Sequence, residues 1–194
     1  MSLQNIRQYK VILASKSPRR QELLRGMGVD FEVITTDADE SYPADMACYD
    51  IPKYLSRRKM EAIRRLPLPD NYLVITADTL VFADDKPLGK PHDREEAKAM
   101  LRGLSNRTHE VITGVTVATA TQDTTFSALS QVHFSPLDDD DIEHYIDTYK
   151  PYDKAGAYGI QEWIGYIGIT GIKGSFYNVM GLPTHLLYKA LKQM

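Results

Sequence analysis

The chain has 194 residues, of which 43% are hydrophobic and 25% charged, as is typical of a globular protein. Its formal net charge of -3 gives no general attraction to nucleic acid or to an anionic membrane, so we expect an anionic ligand to need a local cluster of positive groups. The single cysteine, Cys48, excludes an internal disulfide and a cysteine-cluster metal site and favours a reducing compartment.

The first half of the chain predicts three strands and three helices. A strand is expected over 10–14, followed by a helix with Ser17 as its cap, Pro18 in its first position and Gly28 at its end. The further predicted elements are a strand over 31–35, a polar loop over 37–50, a helix over 54–66, a strand over 72–78 continuing towards 82, and a helix over 93–104 with Asp93 as its cap.

The second half predicts a hairpin, two helices, a loop and a further strand or hairpin. Its predicted elements are antiparallel strands over 111–120 and 125–134, a helix from 135–138 to 149, a glycine- and lysine-rich loop over 150–161, a glycine-interrupted strand or hairpin over 163–172, and a final helix after 181–183. This alternation indicates an α/β fold with a mixed central sheet flanked by helices.

The segment 15–20 is a candidate phosphate site. A strand that breaks into a capped helix presents backbone N–H groups and the positive end of the helix dipole. Ser15 adds a hydroxyl, and Arg19 and Arg20 add guanidinium groups that suit bidentate phosphate contacts. The alternative is an ordinary helix cap at Ser17 with two solvated arginines.

Asp78 is a candidate for metal binding or proton transfer. It ends an apolar strand, so we expect its carboxylate at the edge of the sheet where open α/β folds bind ligands. The alternative is a turn aspartate. A second acid would strengthen the site, but the residues alone do not distinguish Asp37, Asp39 and Glu40.

Three further polar residues have weaker local signals. Lys90 lies in a Gly-Lys-Pro turn, and Lys59 lies on a basic helix where a solvated face is the simpler interpretation. Gln161 closes the loop 154–161, and its amide both donates and accepts hydrogen bonds, as recognition of a base edge requires. The five histidines lack paired metal-ligand spacing, and the acids at 138–141 are interpreted as a helix cap.

Five separated segments carry a family resemblance. They are LASKSPRRQELL (13–24), ADTLV (77–81), GKP (89–91), KAGAYGIQ (154–161) and GSFYNVMGLP (174–183). In this order, the segments resemble the Maf family of nucleoside triphosphate pyrophosphatases. The resemblance covers nearly the whole chain and implies one Maf-like domain over 1–194. The implied fold is that of the inosine-triphosphate pyrophosphatases, elongated with a cleft between two lobes.

The resemblance also implies an activity and a set of residues. The activity is Mg²⁺- or Mn²⁺-dependent hydrolysis of dTTP and UTP, or of modified pyrimidine nucleotides, by a cytoplasmic homodimer. By this resemblance, Asp78 occupies the position of the family's proton acceptor, and Glu40 and Asp78 are expected to bind the metal together. The phosphate and metal shell corresponds to Ser15, Arg19, Glu40, Lys59 and Lys90, and the residues marking the dTTP/UTP branch are Arg20, Thr79 and Gln161.

Two rival functions remain at this stage. One is a non-catalytic nucleotide-binding regulator linked to cell division, against which Asp78 and both lysines count. The other is a nucleic-acid-binding protein that uses the basic segment 57–59, against which the acidic net charge counts.

The first 10 residues lack the apolar stretch of a signal peptide, and apolar runs of about five residues are too short for a membrane span. We therefore expect no membrane or nucleic-acid partner.

Overall fold

The computed structural model describes residues 3–194, so Met1 and Ser2 of the predicted domain lie outside the described residues. Its strands are β1 (Lys10–Leu13), β2 (Glu32–Val33), β3 (Tyr72–Ala83), β4 (Lys86–Leu88), β5 (Thr108–Ala118), β6 (Asp123–Phe134) and β7 (Ile169–Lys173). Its α-helices are α1 (Pro18–Gly26), α2 (Ile51–Ile63), α3 (Arg94–Leu104), α4 (Asp139–Tyr149), α5 (Trp163–Gly168), α6 (Phe176–Met180) and α7 (Thr184–Leu191).

The strands form a mixed sheet, which confirms the predicted fold class. Their order is β2-β1-β3-β5-β6-β7, and β4 pairs with β3. β1 is parallel to β2 and β3, whereas β4 is antiparallel to β3 and β7 is antiparallel to β6. No helix of residues 3–194 is both long and apolar enough to cross a membrane.

The residues group into two compact units. The first comprises Met1–Asp78, Thr113–Ala128 and Gly181–Met194, and the second comprises Thr79–Ile112 and Leu129–Met180. The predicted single domain and the predicted cleft between two lobes stay predictions.

In the first unit, α2 packs directly on the sheet. Met60 and Ile63 of this helix join a buried apolar cluster with Ile12 of β1 and Val74 of β3. At Gly114 of β5 the approach is between main chains: a Cβ atom there would lie 2.3 Å from the carbonyl carbon of Pro52. Only glycine permits this contact, because real Cβ atoms do not come so close to backbone atoms.

Buried hydroxyl groups fix the same helix on the sheet. The Thr76 hydroxyl donates to the Ser56 carbonyl at 2.7 Å, and the Ser56 and Thr116 hydroxyl oxygens lie 2.9 Å apart. These three side chains are buried, so their hydrogen bonds offset the cost of removing polar groups from water. Lys59, one turn beyond Ser56, therefore projects from a firmly held helix.

In the second unit, α3 and α4 face each other through three ion pairs. Arg94 contacts Asp147 at 3.1 Å, Arg102 contacts Asp139 at 2.6 Å, and between them Lys98 pairs with Glu143. The bases recur every four residues on α3 and the acids every four on α4. Each set therefore lies along one face of its helix.

A buried histidine lies in the same unit. His109 Nε2 is 2.7 Å from the Tyr158 hydroxyl, and the His109 ring stacks on Phe134 with 5.5 Å between centroids. Burial lowers the pKa of His109 from 6.5 to about 4, so this imidazole is neutral at pH 7.

The three predicted helix caps are confirmed. Ser17 accepts a hydrogen bond from the Arg20 N–H at 3.5 Å, Asp93 accepts from the Glu96 N–H at 2.8 Å, and Asp138 accepts from the Asp141 N–H at 2.8 Å. Each short side chain satisfies an N–H group that the first helical turn leaves without an intrahelical partner.

The prediction for 163–172 is wrong in its first half. A single short helix, α5, occupies Trp163–Gly168, and only Ile169–Lys173 forms a strand. The Gly165 N–H donates to the Glu162 carbonyl at 2.8 Å, and a Cβ atom on Gly165 would lie 1.8 Å from the Ile160 carbonyl oxygen. Glycine therefore permits a tight helical turn where sequence analysis placed an interruption in a strand.

The observed bounds of β2 and α2 differ from the predicted ones. The strand predicted over 31–35 contains only Glu32–Val33, both exposed, so little apolar burial supports a longer pairing. The helix predicted over 54–66 occupies Ile51–Ile63, because Pro52 near its start is compatible with the first turn of a helix.

Candidate active site

The parallel pairing of β1 with β2 and β3 ends at one edge of the first unit, although β3 itself continues to Ala83. β1 pairs with β3 in the register Leu13 to Ile75, and the Ile34 N–H beyond β2 donates to the Leu13 carbonyl at 3.3 Å. Ser15 follows β1, Glu40 follows β2, and Asp78 lies three residues beyond Ile75 in β3. Open α/β sheets bind ligands at this edge.

At this edge, Lys59 lies between two carboxylates. Its Nζ atom is 2.9 Å from Glu40 Oε1 and forms a short ion pair with Asp78 Oδ1. The Lys59 and Asp78 side chains are 19% and 11% exposed, so this pair is largely withdrawn from water. Such burial makes the charges interact more strongly than at a surface.

The loop after β2 distinguishes the three candidate acids. Asp37 pairs with Lys16 at 3.4 Å, and Asp39 pairs with Arg58 at 3.3 Å, all at exposed positions. A hydrogen bond from the Ser41 backbone holds the pKa of Asp39 below its usual value. Glu40, by contrast, contacts the lysine that is bound to Asp78, as the resemblance but not the residues alone led us to expect.

The start of α1 is held from two directions. The Ser15 hydroxyl oxygen accepts from the Ser17 N–H and from the Arg20 guanidinium, both at 3.2 Å. Arg20 Nε also donates to the Gly181 carbonyl at 2.8 Å. Arg20 therefore links the helix start to the segment before α7, a structural contact that sequence analysis missed.

Opposing charges lie around the Arg20 guanidinium. Burial has the largest effect on the Arg20 guanidinium and lowers its pKa. The charges of Asp78 and Glu40 raise this pKa and that of Arg19 lowers it, with the effect of Asp78 the largest of the three. These interactions place both carboxylates and both arginines in one electrostatic neighbourhood. The structure thus brings together six predicted site residues of the first unit: Ser15, Arg19, Arg20, Glu40, Lys59 and Asp78.

The remaining predicted residues, Thr79, Lys90 and Gln161, belong to the second unit. Lys90 is exposed in a loop whose preceding residue, Gly89, accepts a hydrogen bond from the Gly156 N–H at 3.0 Å. This bond ties the Lys90 loop to the loop that ends at Gln161. The Gln161 Oε1 atom is buried, and within the described residues no hydrogen-bond partner reaches it.

The carboxylates of Glu40 and Asp78 suit one divalent cation whose remaining ligands come from the substrate. Among residues 3–194, no group of three or more His, Cys, Asp or Glu residues is arranged to hold a metal ion. Glu40 and Asp78 nevertheless contact the same ammonium group, so both carboxylates reach one cationic position. Mg²⁺ commonly takes one or two protein carboxylates together with substrate phosphates, and this pair suits that chemistry.

Comparison with known proteins identifies the family. The family model described as Maf-like protein matches residues 10–194, and the chain therefore belongs to the Maf family. A protein of Bacteroides thetaiotaomicron named dTTP/UTP pyrophosphatase is 54% identical over 99% of this chain and 100% of its own length.

Two further relatives carry the same name. The dTTP/UTP pyrophosphatase of Parabacteroides distasonis is 54% identical, and that of Flavobacterium johnsoniae is 44% identical. Each alignment covers 98% of this chain and 98% of the relative. The similarity therefore includes both compact units.

Proposed function

We propose that this chain hydrolyses dTTP, UTP or modified pyrimidine nucleoside triphosphates to the monophosphate and pyrophosphate. The observation that carries the proposal is the placement of Lys59 between Glu40 and Asp78, beside the start of α1. A lysine, two acids and two arginines at the carboxyl edge of parallel strands suit phosphoryl chemistry. The names of the relatives support the same activity.

The residues of the chain divide the work by their chemistry. Ser15 and Arg19 bind the phosphates at the N-terminal end of α1, where N–H groups and the helix dipole favour negative charge. Lys59 and Lys90 offset the charge that develops on the leaving pyrophosphate. Asp78 accepts the proton of the attacking water.

Glu40 and Asp78 are the residues that would hold Mg²⁺ or Mn²⁺. When bound, such an ion supplies positive charge that stabilises the phosphate oxygens. Titrating each metal into the protein with a non-hydrolysable UTP analogue, by calorimetry, tests this assignment apart from turnover. We expect Glu40→Gln to weaken metal binding, and unchanged metal affinity would contradict the assignment.

Selection of the base is assigned to Gln161, with contributions from Arg20 and Thr79. The buried, unpartnered Gln161 Oε1 atom supports this role, because a ligand N–H group would satisfy it. Arg20 also has the structural contact to Gly181, so we expect its replacement to affect the helix start as well as selectivity.

The activity is tested by assaying pyrophosphate release from a panel of triphosphates with Mg²⁺ or Mn²⁺. We expect Asp78→Asn to keep the fold and lower turnover at least ~100-fold, the usual cost of losing a well-placed general base. Asp123→Asn is a matched control, because Asp123 lies in the same unit and forms an exposed ion pair with Arg64.

The assay separates the rival functions. Near-wild-type turnover in Asp78→Asn would remove this carboxylate from the mechanism. Tight binding of a triphosphate by the unmodified protein without pyrophosphate release would instead favour the non-catalytic regulator.

The proposal extends to a cytoplasmic homodimer. Several large apolar side chains between 166 and 177 are exposed, and a second copy would bury such surface: Tyr166, Ile167, Ile172, Phe176 and Tyr177. Light scattering after size exclusion tests the dimer, with Tyr166→Ser expected to shift it towards the monomer. A monomeric unmodified protein would contradict it, and cell fractionation tests the compartment.

A further inference from the structure

Both ends of the loop 154–161 are joined by a buried ion pair. Lys154, at the start of the loop, lies 3.1 Å from Oε1 of Glu162, which follows its last residue. The Lys154 and Glu162 side chains are 9% and 19% exposed. A short hydrogen bond from the Tyr145 hydroxyl on α4 reaches the other carboxylate oxygen, Oε2. We name Lys154, Glu162 and Tyr145 the clasp.

The clasp is a fully engaged set of polar groups. Glu162 uses both carboxylate oxygens, Lys154 also contacts Asp153 at 2.8 Å, and Tyr145 is fully buried. A buried charge is tolerated only when paired and hydrogen-bonded, so moving one member leaves the others uncompensated. The loop ends are therefore held at a defined separation.

The middle of the loop is seated on the same groups. The Gly159 N–H donates to the Tyr145 hydroxyl oxygen at 2.9 Å. A Cβ atom on Gly159 would lie 2.9 Å from the Glu162 carboxyl carbon and 3.1 Å from Lys154 Cε. The backbone two residues before Gln161 thus lies directly against the clasp, with no space for a side chain.

Gln161 lies between Gly159 and Glu162, both of which the clasp holds. Its buried Oε1 atom has no partner within residues 3–194. Since this atom is an acceptor, its complement is a ligand N–H group. Uracil and thymine carry a donor at N3, whereas cytosine carries an acceptor at the same ring position.

We propose that the clasp is a positioning device that holds Gln161 Oε1 ready for the N3–H donor of uracil or thymine, so that it sets discrimination against cytosine. This inference rests on the proposed function and deepens it. Tyr145, Lys154 and Glu162 are positioning residues that act through Gln161. None of them takes part in the chemical step.

The test compares kcat/KM for UTP with kcat/KM for CTP in three variants. Tyr145→Phe removes the hydroxyl that joins Glu162 to Gly159, and Glu162→Gln removes the charge without changing the size of the side chain. Tyr149→Phe is the matched control, because Tyr149 lies one turn further along α4 and its partly exposed ring only stacks on Tyr145, with 5.1 Å between centroids.

We expect the UTP-to-CTP ratio to fall at least ~10-fold in both clasp variants, mainly through a higher KM for UTP. The control should keep the ratio of the unmodified protein. A variant that combines Tyr145→Phe with Glu162→Gln should lower the UTP-to-CTP ratio no further than the more affected single variant does, because both changes break one network. Trp163, the sole tryptophan and the neighbour of Glu162, gives an independent fluorescence titration with a non-hydrolysable UTP analogue.

The outcomes distinguish failure of the proposed hydrolysis from failure of the proposed role of the clasp. If the unmodified protein releases no pyrophosphate from UTP or dTTP, the proposed function fails; if it hydrolyses UTP and CTP equally well, the proposed function stands and the clasp inference is overturned. If it prefers UTP and the clasp variants lower both kcat/KM values equally, the positioning role is overturned and the clasp only stabilises the fold. If Tyr145→Phe is unstable, the size-conserving Glu162→Gln decides.

Discussion

Each compact unit contains a largely buried lysine between two carboxylates, yet the two trios differ in their surroundings. In the first unit, Lys59 joins Glu40 and Asp78. In the second, Lys154 joins Asp153 and Glu162. The two sets of side chains thus have similar ionic composition and burial.

The neighbouring groups distinguish the proposed active site from the clasp. Asp78 lies just beyond the carboxyl end of the parallel pairing between β1 and β3 and interacts electrostatically with Arg20. Glu162 instead has one oxygen on Lys154 and the other on a tyrosine hydroxyl. An ion pair alone therefore does not indicate an active site. The position of the pair in the sheet and the charged groups around it are what distinguish the two trios.

The largest expected effect tests this contrast directly. We predict that Lys59→Met lowers kcat by ~10²–10³-fold, as loss of one preorganised charge-stabilising donor does. Lys154→Met should leave kcat near that of the unmodified protein. Because each variant leaves a largely buried carboxylate without its lysine, both should lower the free energy of unfolding, by about 3 kcal/mol. Pyrophosphate assays and urea unfolding measure the two effects.

Arg57→Met is the control for the first variant, because Arg57 is an exposed basic residue of the same helix. The contrast fails if Lys154→Met lowers kcat as much as Lys59→Met does.

The second prediction concerns pH and the buried His109. Its pKa is about 4 in the folded chain against 6.5 in the unfolded one, so the unfolded chain binds more protons between these values. Stability should therefore fall as the pH drops from 6.5 to 4, by about 3 kcal/mol from this residue.

Urea unfolding of the unmodified protein and of His109→Gln isolates this contribution. The glutamine does not titrate, and its amide can bond Tyr158 in place of Nε2. Parallel pH profiles for the two proteins would show that His109 makes no such contribution.

The third prediction addresses the base. Gln161→Ala should reduce selectivity for UTP over CTP by at least ~10-fold while changing affinity for inorganic pyrophosphate little, because only the base contact is lost. Competition assays with each triphosphate and with pyrophosphate measure both quantities. An unchanged substrate profile would leave the loop with a structural role alone.

The smallest effect is expected on the exposed pairs between α3 and α4. Arg102→Ala should lower Tm by only ~1–3 °C, since surface ion pairs contribute little. Differential scanning calorimetry in 1 M NaCl should show a smaller difference still, because salt screens these charges. A loss of Tm as large as that of Lys154→Met would make the helix pair an essential part of the second unit.

Sequence predicted best where a local rule operates. The caps at Ser17, Asp93 and Asp138 follow from short side chains before a periodic segment, and the start of β3 follows from the apolar run before Asp78, although the strand continues beyond this residue to Ala83. Asp78 was therefore a candidate from its own context.

Sequence left open whatever depends on distant partners. The choice of Glu40 over Asp37 and Asp39 is made by Lys59, Lys16 and Arg58, which no local pattern relates to the acids. Tyr145 and Glu162 were missed because they are 17 positions apart and look like ordinary helix and loop residues. For 163–168, close packing at Gly165 favoured a helix over the predicted strand.

The contact between Gly114 and the Pro52 main chain has a consequence for how this protein tolerates change. The helix that carries Lys59 is seated on backbone atoms of β5 at that point, so its height above the sheet does not depend on any side chain there. Any larger residue at position 114 would have to push this helix away from β5, and Lys59 would move with it.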